Sequence, residues 1–94
     1  MLNNKQKKEL RKLAHREKPS VQIGKNGITD TVLESFENAL IANNLVKVDL
    51  LKTAPITAKE AAEIFSENFA CDVVHIIGRV VILYRYHKEG RVQI

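Results

Sequence analysis

The chain has 94 residues, of which 45% are hydrophobic and 28% are charged, a length and composition typical of one globular domain. Its single cysteine excludes an internal disulfide and a metal site built from several cysteines. No apolar run approaches the ~20 residues of a membrane-spanning helix, and the N-terminal residues lack the apolar segment of a secretory signal. We therefore expect one cytoplasmic domain over residues 1–94 that does not contact a membrane.

The positive charge of the chain is concentrated at its N-terminal end. The whole chain has 15 basic and 11 acidic residues, and residues 1–27 contain eight of the basic residues but two of the acidic ones. A basic segment attached to a slightly acidic remainder is typical of proteins that bind nucleic acid, and less often of proteins at an anionic membrane surface. The alternative is a solvated helix surface that binds nothing.

The first predicted helix covers about residues 3–16. An asparagine can cap its N-terminus, and Pro19 ends it. Its apolar positions, Leu10, Leu13 and Ala14, form a narrow stripe. We therefore expect the helix to lie on the body of the domain with most of its surface in water.

The rest of the chain alternates between strands and helices. We predict strands at residues 20–23, 45–51, 71–77 and 80–86, and helices at residues 29–42 and 57–69. Thr57 and Glu60 have the spacing of a capping box, and Gly78 suits a tight hairpin turn. The order α-β-α-β-α-β-β predicts an α/β two-layer sandwich with a four-stranded mixed sheet, in which the first helix is an addition to the core. We place the core at about residues 19–87 and expect the tail, residues 88–94, to fray.

The segment Gly24-Lys25-Asn26-Gly27 joins a predicted strand to a predicted helix. Its glycines allow a tight turn and a close approach of the backbone to a bulky anion, and the helix that follows presents a partial positive charge at its N-terminus. Lys25 adds a full charge, and Asn26 adds a hydrogen-bond donor and acceptor. The same physics underlies the GxxG loop of KH domains, which clamps a nucleic-acid backbone, whereas the pattern alone also fits a plain strand-to-helix turn.

The first helix carries two rows of basic residues at spacings of three and four, and Lys7, Arg11 and Lys18 belong to the second row. The side chains of this region that we predict to contact phosphates are Lys5, Lys8, Lys12, Arg16 and Lys18.

The predicted hairpin offers further candidates, with Arg79 at its turn and Arg85 in its second strand. Whether either shares a surface with the loop depends on the order of strands in the sheet. Tyr84 and Tyr86 could stack bases, but core packing by Tyr84 is the favoured interpretation.

Catalysis finds little support in the sequence. Its three histidines, His15, His75 and His87, are spread over different elements without the spacing of metal ligands. Cys71 has no flanking cation, and no nucleotide-binding or nucleophile motif is present. We expect no enzyme activity, no metal and no cofactor.

Three segments together resemble the signatures of the CRM domain family (chloroplast RNA splicing and ribosome maturation). They are the opening Leu10-Arg11-Lys12-Leu13-Ala14-His15, the loop Val21-Gln22-Ile23-Gly24-Lys25-Asn26-Gly27-Ile28-Thr29 and the hairpin Ile77-Gly78-Arg79-Val80-Val81-Ile82-Leu83-Tyr84-Arg85. The resemblance covers about residues 2–88 and is to the stand-alone bacterial, YhbY-like type.

The resemblance implies a fold related to the C-terminal domain of translation initiation factor 3, RNA binding, and no catalytic activity. It also implies that bacterial members associate with precursors of the large ribosomal subunit and assist its assembly. The family's loop glycines correspond to Gly24 and Gly27, and its variable basic or polar pair corresponds to Lys25 and Asn26.

We therefore predict a monomeric RNA-binding protein that contacts ribosomal RNA in pre-large-subunit particles through the loop and the basic helix. The alternatives are an RNA-binding or RNA-chaperone module with a non-ribosomal target and an adaptor whose first helix docks on an acidic protein. A phosphatase that uses Lys25, Asn26 and Arg79 around the loop is a further rival.

Overall fold

The computed structural model describes residues 2–87, 89–90 and 92. Its elements in chain order are α1 (Asn4–His15), β1 (Val21–Ile23), α2 (Asp30–Asn43), β2 (Leu45–Leu50), α3 (Ala58–Phe69), β3 (Asp72–Ile77) and β4 (Val80–Tyr84). The strands form one sheet in the order β1-β2-β4-β3, in which β1 and β2 are parallel and the other pairs are antiparallel. The predicted α/β class, the order of elements and the four-stranded mixed sheet are confirmed.

One face of the sheet is covered by α2 and α3. The inward side chains of β2 and β4, among them Val48 and Leu83, pack there against the two helices. Phe36 of α2 and Phe65 of α3 stack with their ring centroids 4.1 Å apart, and Phe69 lies against them. These rings are fully or largely buried and fill the space between the two helices and the sheet. This face holds the main hydrophobic core.

The opposite face is covered in part by α1. Leu10 and Ala14 are fully buried there, whereas Leu13 is 40% exposed, so the helix contacts the sheet along a narrow line. The residues of the sheet that pack against α1 are Leu45, Val74, Ile82 and Tyr84. The helix therefore adds a partial third layer to the predicted two-layer sandwich.

The C-terminal end of α1 is attached to β2 by a lysine. The Lys47 ammonium lies 3.5 Å from the carbonyl oxygen of Ala14 and 3.3 Å from that of Glu17, and donates to both. A cation suits this position because the last carbonyls of a helix lack partners within the helix and carry a partial negative charge.

Two helices begin at capping boxes. Thr57 Oγ1 accepts from the Glu60 amide at 3.1 Å, and the Glu60 carboxylate accepts from the Thr57 amide at 3.0 Å, as the spacing of these residues predicts. Asn3 and Gln6 form the equivalent pair at the start of α1. Both helices are thus started by local sequence.

The tail is held by Asn44, the residue between α2 and β2. The Asn44 amide group donates to the Val92 carbonyl at 2.8 Å, and its oxygen accepts from the Val92 amide at 3.1 Å. The Tyr84 hydroxyl donates to the same Val92 carbonyl at 2.8 Å. The prediction that residues 88–94 fray is therefore wrong for Val92. Its backbone amide and carbonyl are bonded to the side chain of the buried Asn44, much as a strand is bonded to its neighbour. Residues 88, 91, 93 and 94 lie outside the described residues.

Replacing Asn44 with alanine is expected to lower the free energy of unfolding by about 2–4 kcal/mol. The change removes two hydrogen bonds worth about 1 kcal/mol each. It also places alanine, whose side chain cannot form a hydrogen bond, at a φ of 48°. Asn44→Gly should lower the free energy of unfolding by less, because glycine adopts this φ without strain. Urea denaturation measures both variants, with Asn38→Ala on the exposed side of α2 as the control. An unchanged urea midpoint in Asn44→Ala would show that the tail contact adds nothing to stability.

Candidate nucleic-acid interface

The loop at residues 24–27 is a tight turn at the end of β1. The Gly27 amide donates to the Gly24 carbonyl at 3.0 Å, which closes the turn, and the Leu51 amide donates to the Ile23 carbonyl at 2.9 Å. Gly27 has a φ of 68°, and a Cβ at this position would lie 3.2 Å from Cγ of Pro55. Any other residue at Gly27 would therefore strain the backbone and crowd Pro55.

Gly24 has a different role in the loop. A Cβ added to Gly24 would make an ordinary contact with Leu51, at 3.8 Å, so the fold alone does not require glycine there. Gly24 leaves the backbone open to a bulky ligand, which is the second property expected of a loop that approaches a phosphate. Lys25 and Asn26 are exposed at the tip, where a ligand can reach both side chains.

Arg79 lies at the same end of the sheet as the loop. The Leu50 amide donates to the Arg79 carbonyl at 2.8 Å, and Leu50 also pairs with Ile23, the residue before the loop. Two strand spacings, about 10 Å, therefore separate the Arg79 backbone from the start of the loop. The Arg79 side chain is exposed, and the sheet order puts Lys25 and Arg79 at the same end of the sheet.

Arg85 lies at the other end of the sheet. Its amide donates to the Asn44 carbonyl at 2.9 Å, and its guanidinium donates to the Phe69 carbonyl at 3.2 Å, at the C-terminal end of α3. The structure does not bring this predicted contact together with the loop. Tyr84 is buried in the core as favoured from the sequence, and Tyr86 is 56% exposed.

The predicted basic residues of the first helix region are all exposed. Lys12 and Arg16 line a groove between α1 and the sheet, and Lys8 lies with Asn4 and Arg11 near the N-terminal half of the helix. The structure does not place Lys5 or Lys18 in this groove.

Four polar residues that are not among the predicted phosphate contacts also line the groove, namely Arg11, His15, Lys47 and His75. Arg11 belongs to the second basic row of the helix, and it precedes His15 by one helical turn, so the two side chains lie on one face of the helix. Lys47 and His75 each stand between apolar neighbours in their strands, and a polar residue in such a position indicates a face that is not fully covered.

The described residues offer little for catalysis or metal binding. No group of three or more His, Cys, Asp or Glu side chains among them could hold a metal ion. Burial raises the pKa of the Cys71 thiol to about 11, so the sulfur is protonated at neutral pH and is a weak nucleophile. No helix in the described part of the chain is long and apolar enough to cross a membrane.

Known proteins are similar to this chain in sequence and in fold. The CRS1 / YhbY (CRM) domain matches residues 2–85. The chain is 34% identical over 91 residues to the "Probable RNA-binding protein YqeI" of Bacillus subtilis, with 97% of this chain and 95% of that protein covered. It is 34% identical over 93 residues to an "RNA-binding protein" of Haemophilus influenzae, with 99% and 94% covered.

A solved structure extends this similarity to the fold. The solution structure of a hypothetical protein from Staphylococcus aureus, described as a candidate RNA-binding protein, superposes with a TM-score of 0.80 at 38% identity. The superposition covers 97% of this chain and 95% of that one. The domain match, the relatives and the fold agree, and the chain belongs to the CRS1/YhbY (CRM) domain family.

Proposed function

We propose that this chain is an RNA-binding protein that holds the phosphate backbone of its target at the loop end of the sheet. The observation that supports the proposal is that Lys25 and Arg79 lie at the same end of the sheet, beside a backbone turn that Gly24 leaves open. Lys25 and Arg79 neutralise phosphates, and Asn26 donates to a phosphate or bonds to a ribose hydroxyl.

The basic side of α1 extends this contact to neighbouring phosphates. The predicted contacts Lys5, Lys8 and Lys12 are exposed, and the relatives named as RNA-binding proteins match this chain over nearly its full length. Contacts to phosphate and ribose carry no sequence information directly, so the recognition depends on RNA shape more than on base sequence.

The target in this proposal is ribosomal RNA in precursors of the large ribosomal subunit, and the role is assistance in assembly. The resemblance of the loop and hairpin segments to the CRM domain supports this role. Sucrose-gradient sedimentation of a cell lysate tests it, with the protein detected in each fraction at low salt, at high salt and after nuclease treatment.

Co-migration with free large-subunit particles or their precursors that is lost at high salt and after nuclease is the expected result. A protein confined to the top fractions at every salt concentration would remove the ribosome from the proposal and leave a smaller RNA target. Co-migration that survives nuclease would indicate a protein partner and contradict RNA as the tether.

Salt dependence provides a direct check on the phosphate contacts. With about 4–6 phosphate contacts, the logarithm of the association constant should fall with a slope of about −3 to −5 against the logarithm of the salt concentration. Fluorescence anisotropy with a labelled ribosomal RNA fragment measures the slope between 50 mM and 300 mM salt. An affinity that stays constant over this range would contradict a site built on phosphate contacts.

A further inference from the structure

A groove of about 660 Å³ lies between α1 and the part of the sheet face that this helix leaves uncovered. Its floor is formed by Ile77, Val80 and Ile82, which come from the two strands of the β3–β4 hairpin. Lys47 and His75 flank Ile82 from the two neighbouring strands. Three adjacent strands therefore supply a flat, largely apolar surface, and its volume is in the range of small-molecule sites.

The groove has a strongly positive rim. Arg11, Lys12 and Arg16 line it from the helix side, and Lys47 lines it from the sheet. None of the described lining residues is acidic. The apolar floor alone would suit many ligands, but the positive rim restricts the ligand to one that is anionic at its edge and apolar over its flat part.

The polar lining residues are suited to stacking. His15 and His75 present imidazole rings, and Arg11 and Arg16 present planar guanidinium groups. Imidazole and guanidinium planes stack on nucleobases, and a guanidinium also binds phosphate through paired hydrogen bonds. A nucleotide combines an apolar plane with an anionic edge, which is the combination that this groove complements.

The groove ends at the Gly78-Arg79 turn, which lies beside the proposed phosphate site. Ile77 and Val80 immediately precede and follow the Gly78-Arg79 turn, and the Arg79 carbonyl is bonded to Leu50 beside the loop. An RNA strand held at Lys25 and Arg79 can therefore continue across the turn into the groove.

We infer that the groove binds one unpaired nucleotide of the RNA target. Its base lies on Ile77, Val80 and Ile82 beside the two histidines, and its flanking phosphates lie at Arg11 and Arg16. The inference rests on the proposed RNA-binding function and specifies its substrate, which is RNA with an unpaired base next to the segment held by the loop. Lys47 contributes its charge while it remains bonded to the end of α1.

Two probes test the inference, a fluorescent single-stranded adenosine hexanucleotide and a blunt 12-base-pair RNA duplex without unpaired bases. The variant Ile77→Asp places a carboxylate on the floor at a residue that is 62% exposed. We expect it to weaken binding of the hexanucleotide about 10-fold, in the range that loss of one stacked base produces, and to change duplex binding less than about twofold. The matched control is Ile41→Asp, which makes the same change at a 69% exposed isoleucine on α2.

A second variant and an NMR measurement decide the question even if the Ile77→Asp variant does not fold. His75→Ala removes one stacking group without adding charge and should also weaken the hexanucleotide selectively. Methyl NMR of the wild-type chain should show shifts of Ile77, Val80 and Ile82 on addition of the hexanucleotide but not of the duplex.

Equal loss of affinity for both probes, or for neither, in folded groove variants would overturn the inference while leaving the proposed function intact. Wild-type protein that binds neither probe at low salt would overturn both. A polyglutamate peptide that binds as tightly and is weakened equally by Ile77→Asp would assign the groove to an acidic protein and overturn the inference.

Discussion

Removing both positive charges at the loop end of the sheet, with Lys25→Gln and Arg79→Gln together, is expected to weaken RNA binding about 100-fold at low salt. Each side chain supplies a charge-assisted contact worth about 1.5 kcal/mol, and 1.4 kcal/mol corresponds to a tenfold change in affinity. The salt dependence should become shallower at the same time, by about 1.5–2 in slope, because two fewer counterions are released. Anisotropy titrations at several salt concentrations measure both effects.

The control for this variant makes the same change in net charge at a place away from the site. Asn38→Glu with Ala42→Glu also lowers the net charge by two, at exposed positions of α2. At 0.1 M salt it should lose no more than about threefold in affinity, because the Debye length is then about 10 Å and Asn38 lies eight residues, about 12 Å, along the helix from the start of α2. If the two double variants lose affinity equally, the chain attracts RNA by its net charge and the loop is not a site. Circular dichroism should show both variants folded, because all four side chains are exposed.

Replacing Phe36 with alanine is expected to lower the free energy of unfolding by about 4 kcal/mol, the largest effect of any single substitution that we propose. Phe36 is fully buried, and its ring stacks on Phe65 at 4.1 Å and lies 5.1 Å from Phe69. The change leaves a cavity between α2, α3 and the sheet, and the surrounding residues cannot fill it because the sheet fixes the spacing of the two helices. Domains of this size have about 5–15 kcal/mol of stability in total, so the variant is close to unfolding.

Urea denaturation checks this expectation, with Phe36→Leu as the partner variant. Leucine keeps most of the apolar volume, so Phe36→Leu should lower the free energy of unfolding by less than half as much as Phe36→Ala. A loss below 1 kcal/mol in Phe36→Ala would mean that the three rings are not the centre of the core. The folded fraction of the variant should keep its RNA affinity, since Phe36 lies on the sheet face opposite the groove.

The sequence predicts best what short-range interactions decide. The capping box of Thr57 and Glu60, the turn at Gly27 and the order of elements depend on neighbours within a few residues, and the structure contains all of them. The placement of Arg79 and Arg85 depends on which strands pair, and strand order is a long-range property. Without it, the two arginines of one hairpin appear equally suited to a site, although they lie at opposite ends of β4.

The tail and the groove were missed for a related reason. Asn44 holds Val92 across 48 positions of sequence, and no local pattern indicates that pairing. Lys47 and His75 belong to strands that α3 separates in the chain, and they flank the same residue of β4 only because the sheet order is β1-β2-β4-β3. A face-by-face assignment of the polar residues in the strands would have marked both as candidates.

The weak attachment of α1 has a consequence for how binding and stability are coupled. Among the described residues of the helix, Leu10 and Ala14 are fully buried and the C-terminal end accepts from Lys47, whereas the core between the sheet, α2 and α3 contains no residue of α1. Opening of α1 is therefore a sub-global event with a lower free energy than full unfolding. RNA that contacts the helix and the sheet together binds only when α1 is packed on the sheet. Part of the binding free energy is therefore used to hold the helix in place. The affinity of the chain for RNA is thus set partly by the packing of Leu10 and Ala14, two residues that RNA never touches.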